Sequence, residues 1–527
     1  MGRTVLRRAI LNSGGGTSRA AAMWRSENAS ASRVWAAFAL LIALVTVPLF
    51  STVLPPLVDY PNHLARMHLL IEGGNAFYVV HWTPLPNLAQ DLIVPPLARL
   101  MPLELASKLF LIMVFGVITA GAIWLNRVAS NDWRMWPLLT FLLLYNRSFL
   151  WGFVNYLFGI GLALCGIAWW LALEKKGWRI RVFASSLLAL ACYFSHIAAL
   201  GFYALIILGI EGLPAAAELR VRDCRALGRR IAIAGPQFVM PVLLFTSSGP
   251  GAAQRPISYA SFSRKADLLF SVFDNYDRVF DVTCFALFIG LILWLAVTRR
   301  LGLRPRLAAA AGVVFAAYLL LPSQMLGGSA ADHRLPPALF LLLIVSSVPR
   351  FPSRRLATTV GILAAAMFLI RLAMIERIWL QADRLYSADF SGIDMLRPGA
   401  KLAVAYPPSA VNFVAIPEIH LAALAVTRRE AFVPTLFALP TQQPVTLRPP
   451  YVALAKATRP ELLWSAFAVD NSPELASLPT AFWRYDFIAF TDNRSVHVLP
   501  HPCLEAVFLQ PRFQIFAVVH TPGCRPA

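Results

Sequence analysis

Long apolar runs alternate along this chain with short basic or mixed segments, and the lengths of the runs set the architecture. Runs of about 15 to 25 residues match the roughly 20 that a helix needs to cross a hydrocarbon core. They fall at 34–54, 107–126, 133–146, 149–173, 183–195, 197–211, 230–247, 282–298, 307–326, 335–349 and 356–376. The pattern predicts a mainly α fold, a polytopic transmembrane bundle of about eleven spans. One continuous helix over 183–211 would carry the basic clusters on either side of it (Lys175, Lys176, Arg179 and Arg181; Arg220, Arg222, Arg225, Arg229 and Arg230) to opposite faces of the membrane. Ser195-His196 is therefore read as the apex of a tight hairpin.

The period changes near residue 380. From there to 527 the chain reads as a small α/β unit of about 145 residues, within the ordinary domain range. Short apolar or alternating runs at 401–406, 485–490 and 513–519 predict strands, and 418–427 has helical character. Residues 1–33, with Gly14-Gly15-Gly16 and scattered Ser and Arg, read as a disordered cytoplasmic N-terminus. The division is then 1–33, a membrane domain at 34–379 and an extracytoplasmic domain at 380–527. The stretch after Arg33 is too long for a cleaved signal and reads as an anchor.

Composition agrees, since 58% of residues are hydrophobic and 14% charged, with a mean hydropathy of +0.62, more apolar surface than a soluble domain hides. The formal charge of +20 would suit nucleic acid, but the Lys and Arg cluster between apolar runs, where a cytoplasmic-loop bias puts them. The charge is read as topology, with no nucleic-acid partner, an integral protein of a bacterial inner membrane and the N-terminus inside. Of six cysteines only Cys503 and Cys524 lie in the tail. A disulfide and two free thiols both fit there.

Candidate chemistry gathers in the loops on the outer side. Asp59, in Pro55-Pro56-Leu57-Val58-Asp59-Tyr60-Pro61-Asn62-His63, follows the first span and precedes an amphipathic segment. Charge at a bilayer surface is costly without a use; a helix-start acid that offsets the helix dipole is the bland alternative. His63 could orient Asp59 or help hold a divalent cation, although His63, His68 and Asp59 at this spacing define no metal site. Arg334, in Asp332-His333-Arg334-Leu335-Pro336-Pro337, sits where a cation and a helix N-terminus meet, a phosphate site in outline, with interfacial anchoring as its alternative. His333 beside it is a weaker candidate. Arg147 in the short turn Tyr145-Asn146-Arg147-Ser148 could reach a lipid phosphate with its forked donors or simply snorkel. The mixed stretch 255–281 suits a helix lying in the interface.

The Pro-Pro-x-x-Asp stretch ending at Asp59, the following segment with His63, and Asp332 to Pro337 leading into a late helix together resemble the GT-C superfamily of membrane glycosyltransferases. The resemblance covers roughly residues 34 to 380. It implies sugar transfer from a polyprenyl-phosphate carrier, with Asp59 as general base and Arg334, Arg147, His63, His333 and Tyr60 as substrate-binding residues. The family often carries two acids together where this chain has Asp59 and Tyr60, which leaves a divalent cation open. The implied partners are a polyprenyl-phosphate-linked sugar, a cell-envelope glycan or lipid acceptor, and membrane lipids. A transporter or lipid flippase would need ionisable groups within the spans and an inverted repeat. A non-catalytic envelope-assembly subunit would leave Asp59 and Arg334 structural.

Overall fold

The computed structural model describes residues 29–247, 257–325, 330–408, 418–470, 472, 478–492, 494–521 and 524. Of the 1–33 segment expected to be disordered, 1–28 lie outside them, as does the start of the 255–281 stretch, while Ala31 to Arg33 already belong to a helix capped by Ser30. The chain is mainly helical. Among the described residues seven helices are long and apolar enough to cross a membrane: Ala31–Ser51, Leu103–Ser130, Val154–Lys175, Ile197–Arg220, Cys224–Ser247, Arg278–Val297 and Arg354–Asp394. The protein is an integral membrane protein.

The other apolar runs form shorter pieces. Residues 133–146 hold a 3₁₀ helix, Trp136–Leu143; 307–326 holds the helix Pro305–Leu320; 335–349 holds Leu335–Ser346 followed by a short strand, Ser347–Pro349. Leu335–Ser346 is apolar on every side and buried along almost its whole length, as a helix surrounded by other helices must be. Cys224–Ser247 has the opposite environment, with most of its surface turned outward.

The hairpin at His196 is present. Trp178–Ser195 and Ile197–Arg220 are separate helices joined at His196, whose extended backbone interrupts the helical path while its ring accepts a hydrogen bond from the Ala198 amide. Arg181 and Glu211, one on each arm and equally far from His196, meet at 3.1 Å. Only a chain folded back on itself brings them together.

Close helix packing rests on small residues. Gly161 lies against the helix Leu103–Ser130 so tightly that an added Cβ would stand 2.6 Å from Val117 Cγ1, the close approach that small residues permit where no water-driven force pulls helices together.

Strands are short throughout: β1 (Tyr78–Val80), β2 (Leu301–Leu303), β3 (Ser347–Pro349), β4 (Leu402–Ala405), β5 (Val445–Leu447), β6 (Phe487–Thr491), β7 (Leu504–Leu509) and β8 (Phe513–Val518). β2 and β3 pair antiparallel between membrane helices. The C-terminal stretch carries a four-stranded sheet in the order β4-β6-β8-β7, with β4 and β6 parallel and the other pairs antiparallel. The runs expected to be strands form β4, β6 and β8. The helix expected at 418–427 is a 3₁₀ turn, Leu421–Ala423, running into a helix, Leu424–Arg429. Cys503 and Cys524 form a disulfide with Cα atoms 5.5 Å apart.

This region is tied to the first loop. β1 pairs antiparallel with β5. The Tyr78 hydroxyl donates to the Val433 carbonyl at 2.7 Å and accepts from the Val433 amide at 2.9 Å. On the other side of the loop, Arg66 in the helix Tyr60–Glu72 grips Asp91 in Ala89–Ala98 with two bonds of 2.7 and 3.2 Å, and both side chains are fully buried.

Removing one partner of such a pair strands a charge in a dry interior. Asp91→Ala is expected to cost about 3–5 kcal/mol, seen as a lowered unfolding midpoint in detergent. Adding Arg66→Met should recover most of the loss, because it removes the stranded charge.

Candidate active site

The first loop delivers Asp59 to the start of the helix Tyr60–Glu72, where Pro61 in the first turn presets helical backbone. Its carboxylate makes no capping hydrogen bond. The residue docks instead on the turn after the short helix Arg147–Leu150: the Val58 amide donates to the Leu150 carbonyl at 2.9 Å, and the Asp59 amide to Trp151 at 3.2 Å. Gly152 closes this turn with φ +92°, and an added Cβ there would come within 2.7 Å of Asp59 Cβ. Only glycine takes that backbone and leaves room for the acid. Asn146 starts the turn by capping the Phe149 amide at 3.1 Å.

Around the Asp59 carboxylate lie His420, with Nε2 3.6 Å from Oδ1, and the charges of Arg66 and Arg334. Burial pushes Asp59 up to about 7, with Arg66 and then Arg334 drawing it back down. His63 is one turn along the helix, its Nε2 3.0 Å from the Gly152 carbonyl oxygen; burial, with Arg66 nearby, lowers it to about 3. That keeps it neutral, so Nε2–H is the donor. Tyr60 points into the core and is 1% exposed.

Arg334 packs on the same turn, at Phe153. Its guanidinium lies over the Phe153 ring at 4.6 Å and donates to the Ala330 carbonyl at 3.0 Å, while the Tyr156 hydroxyl donates to its main-chain oxygen. With His196 and Asn87 it lines a cavity of about 410 Å³ whose remaining wall is largely apolar, including Ile197, Leu205, Ala317 and Leu321. Lined by one cation and a largely apolar wall, the cavity suits an amphiphile with an anionic head.

Arg147 and His333 form a second grouping. Arg147 is ion-paired with Asp274, and His333 stacks on Trp151 with ring centroids 5.3 Å apart. Burial lowers His333 to about 4. Among the described residues no group of three or more His, Cys, Asp or Glu side chains is arranged to hold a metal ion.

Sequence reasoning missed Arg66, Gly152 and His420. Arg66 had a signal: seven positions beyond Asp59 on a helix, it returns to the same face. Gly152 and His420 had none, because each meets Asp59 only through tertiary contact.

No protein-family profile matches the chain, and no curated protein matches it by sequence. Solved structures do. ArnT from Cupriavidus metallidurans bound to undecaprenyl phosphate aligns at a TM-score of 0.57 and 13% identity, covering 93% of this chain and 98% of that one. The fold is GT-C. The arabinofuranosyltransferase AftD from Mycobacteria aligns at 0.42 and 13% identity, covering 94% of this chain and 42% of that one. Within the GT-C fold, Asp59 and the helix after it occupy the first loop, between the helices Ala31–Ser51 and Leu103–Ser130.

The raised Asp59 has a thermodynamic consequence of defined sign. Between pH 4 and 7 the folded chain holds a proton on Asp59 that the unfolded chain has released, so this residue's contribution to stability falls as pH rises through that window. Asp59→Asn is therefore expected to raise the unfolding midpoint at pH 8 relative to wild type and to leave it unchanged near pH 3.5. Equal midpoints at both values would mean an ordinary, solvated acid.

Proposed function

We propose that this protein is a membrane glycosyltransferase that moves a sugar from a polyprenyl-phosphate carrier to a cell-envelope glycan or lipid. The observation that carries the reading is the placement of Asp59 and Arg334 against one turn, Arg147 to Phe153, with Arg334 in the wall of a largely apolar cavity. The solved ArnT structure of the same fold holds undecaprenyl phosphate, an amphiphile of the kind that cavity suits.

In the proposed reaction the acceptor hydroxyl attacks the anomeric carbon. Asp59 takes the hydroxyl proton as the C–O bond forms. The bond from that carbon to the carrier phosphate breaks, and its electron pair leaves with the phosphate. Arg334 offsets the charge that develops there. The apolar wall takes the isoprenoid, so the lipid tail need not leave an apolar environment. Arg147 and His333 sit beyond Trp151, where they would meet the acceptor side or lipid headgroups; His63 braces the Gly152 turn and Tyr60 the helix start.

For topology we propose about eleven crossings, counting the shorter apolar helices as spans within the bundle, with the N-terminus cytoplasmic and residues 380–527 extracytoplasmic. The Cys503–Cys524 disulfide supports an oxidising location for the tail. A single cysteine in place of exposed Arg484 should react with a membrane-impermeant maleimide in intact cells; protection there, with labelling only after lysis, would reverse the orientation.

Asp59→Asn should cut transfer by at least ~100-fold at matched membrane levels, the scale of a lost general base. Arg334→Ala should lower it by a similar ~100-fold or more. In the wild type, transfer should climb about tenfold per pH unit below about 7 and level off above. The assay uses purified protein with undecaprenyl-phosphate-linked hexoses and pentoses and a cell-envelope extract as acceptor. Undiminished transfer by Asp59→Asn would refute the assignment.

A further inference from the structure

His420 comes to the site from the C-terminal stretch, at the start of the 3₁₀ turn Leu421–Ala423. Its ring packs edge-on against Phe437 at 5.2 Å, and Phe437 also meets the His63 ring at 6.4 Å. Only 14% of the His420 side chain is exposed. Nε2 faces Asp59 Oδ1 at 3.6 Å, while Nδ1 is buried with no hydrogen-bond partner among the described residues.

That accounting decides the tautomer. A proton on Nδ1 would bury an unpaired donor and turn a lone pair toward a carboxylate. A proton on Nε2 points a donor at an acceptor and leaves only a lone pair unmet, the cheaper arrangement.

We propose that His420 is the positioning residue of the Asp59 base: it donates Nε2–H to Oδ1, holds the carboxylate in its ionised form and leaves Oδ2 for the acceptor hydroxyl. The role rests on the proposed function above. The 3.6 Å separation closes to a charge-assisted hydrogen bond by a small side-chain adjustment once the carboxylate ionises, with no substrate required. Burial holds His420 down at about 4, so the imidazole is neutral wherever Asp59 titrates and does not compete for the acceptor's proton. The charges bearing on Asp59 are Arg66 from the helix it starts and Arg334, and His63, also on that helix, bonds to Gly152. The two cations act on it through their charge, and His63 spends its donor on Gly152. His420 is the neutral donor that faces Oδ1.

The placement also makes the base dependent on the C-terminal stretch. Tyr78–Val433 and the β1–β5 pairing hold that stretch on the first loop, so the base is fully oriented only when the two halves of the chain are docked.

The test needs no substrate. The shift in unfolding midpoint caused by Asp59→Asn, followed from pH 3.5 to 9, traces the titration of Asp59. It is measured in the wild-type, His420→Leu and His420→Gln backgrounds on full-length protein. Losing a hydrogen bond to a carboxylate should move the inflection up by about one pH unit in His420→Leu. His420→Gln, whose Nε2 can occupy nearly the same point as the imidazole Nε2, should hold it near the wild-type position. An inflection that stays put in His420→Leu, or moves equally in both variants, overturns the proposal. Asp59→Asn that retained transfer would instead refute the base itself, whatever the His420 curves show.

Discussion

The fully buried Arg66–Asp91 pair is the contact from which the site takes its geometry. It clamps the helix Tyr60–Glu72 to Ala89–Ala98, and that helix carries Asp59 at its start and His63 one turn later. A buried ion pair of this kind adds little net stability, because desolvating both charges offsets most of their attraction. What it does enforce is register. With the helix held in one position, the Val58 and Asp59 amides find the Leu150 and Trp151 carbonyls, and Gly152 fits beneath the acid.

The same interior that makes the pair geometrically strict raises Asp59. A carboxylate at ordinary exposure is a weak base near neutral pH; one pushed up to about 7 is matched to it. Arg66 therefore serves twice, as clamp and as one of two cations that stop burial from neutralising the acid altogether. Arg334 is the other, held over Phe153 in the same turn that Asp59 docks on. In the proposed reaction Asp59 and Arg334 would serve the forming and the breaking bond from one short stretch of chain.

Much of the scaffold was legible from residue pattern. The apolar runs, the break at Ser195-His196 and three of the four strands of the C-terminal sheet follow from local periodicity, which depends on neighbours a few positions away. β7 escaped notice because Leu504–Leu509 is half exposed and carries a bulge between Ala506 and Phe508, which blurs the alternation. β1 and β5 are three residues each, too short to show any period. The 3₁₀ segment Trp136–Leu143 and the enclosed helix Leu335–Ser346 are shorter than the apolar runs that hold them, a difference that hydropathy does not register because burial in protein and burial in lipid read alike.

By itself, then, the sequence determined that the chain lives in a membrane, that its apolar helices are joined by basic turns, and that Asp59 and Arg334 stand where helices begin. Those properties are encoded locally, in composition and spacing. Tertiary structure alone decided that Asp59 and Arg334 pack against one glycine turn, that Cys503 and Cys524 pair, and that a histidine from the far end of the chain meets the acid. Such contacts join residues that are not neighbours in the chain, and no local preference specifies them; those of the first loop exist because it is buried between the 147–153 turn and the C-terminal stretch, where the Val58 and Asp59 amides and the Tyr78 hydroxyl find partners.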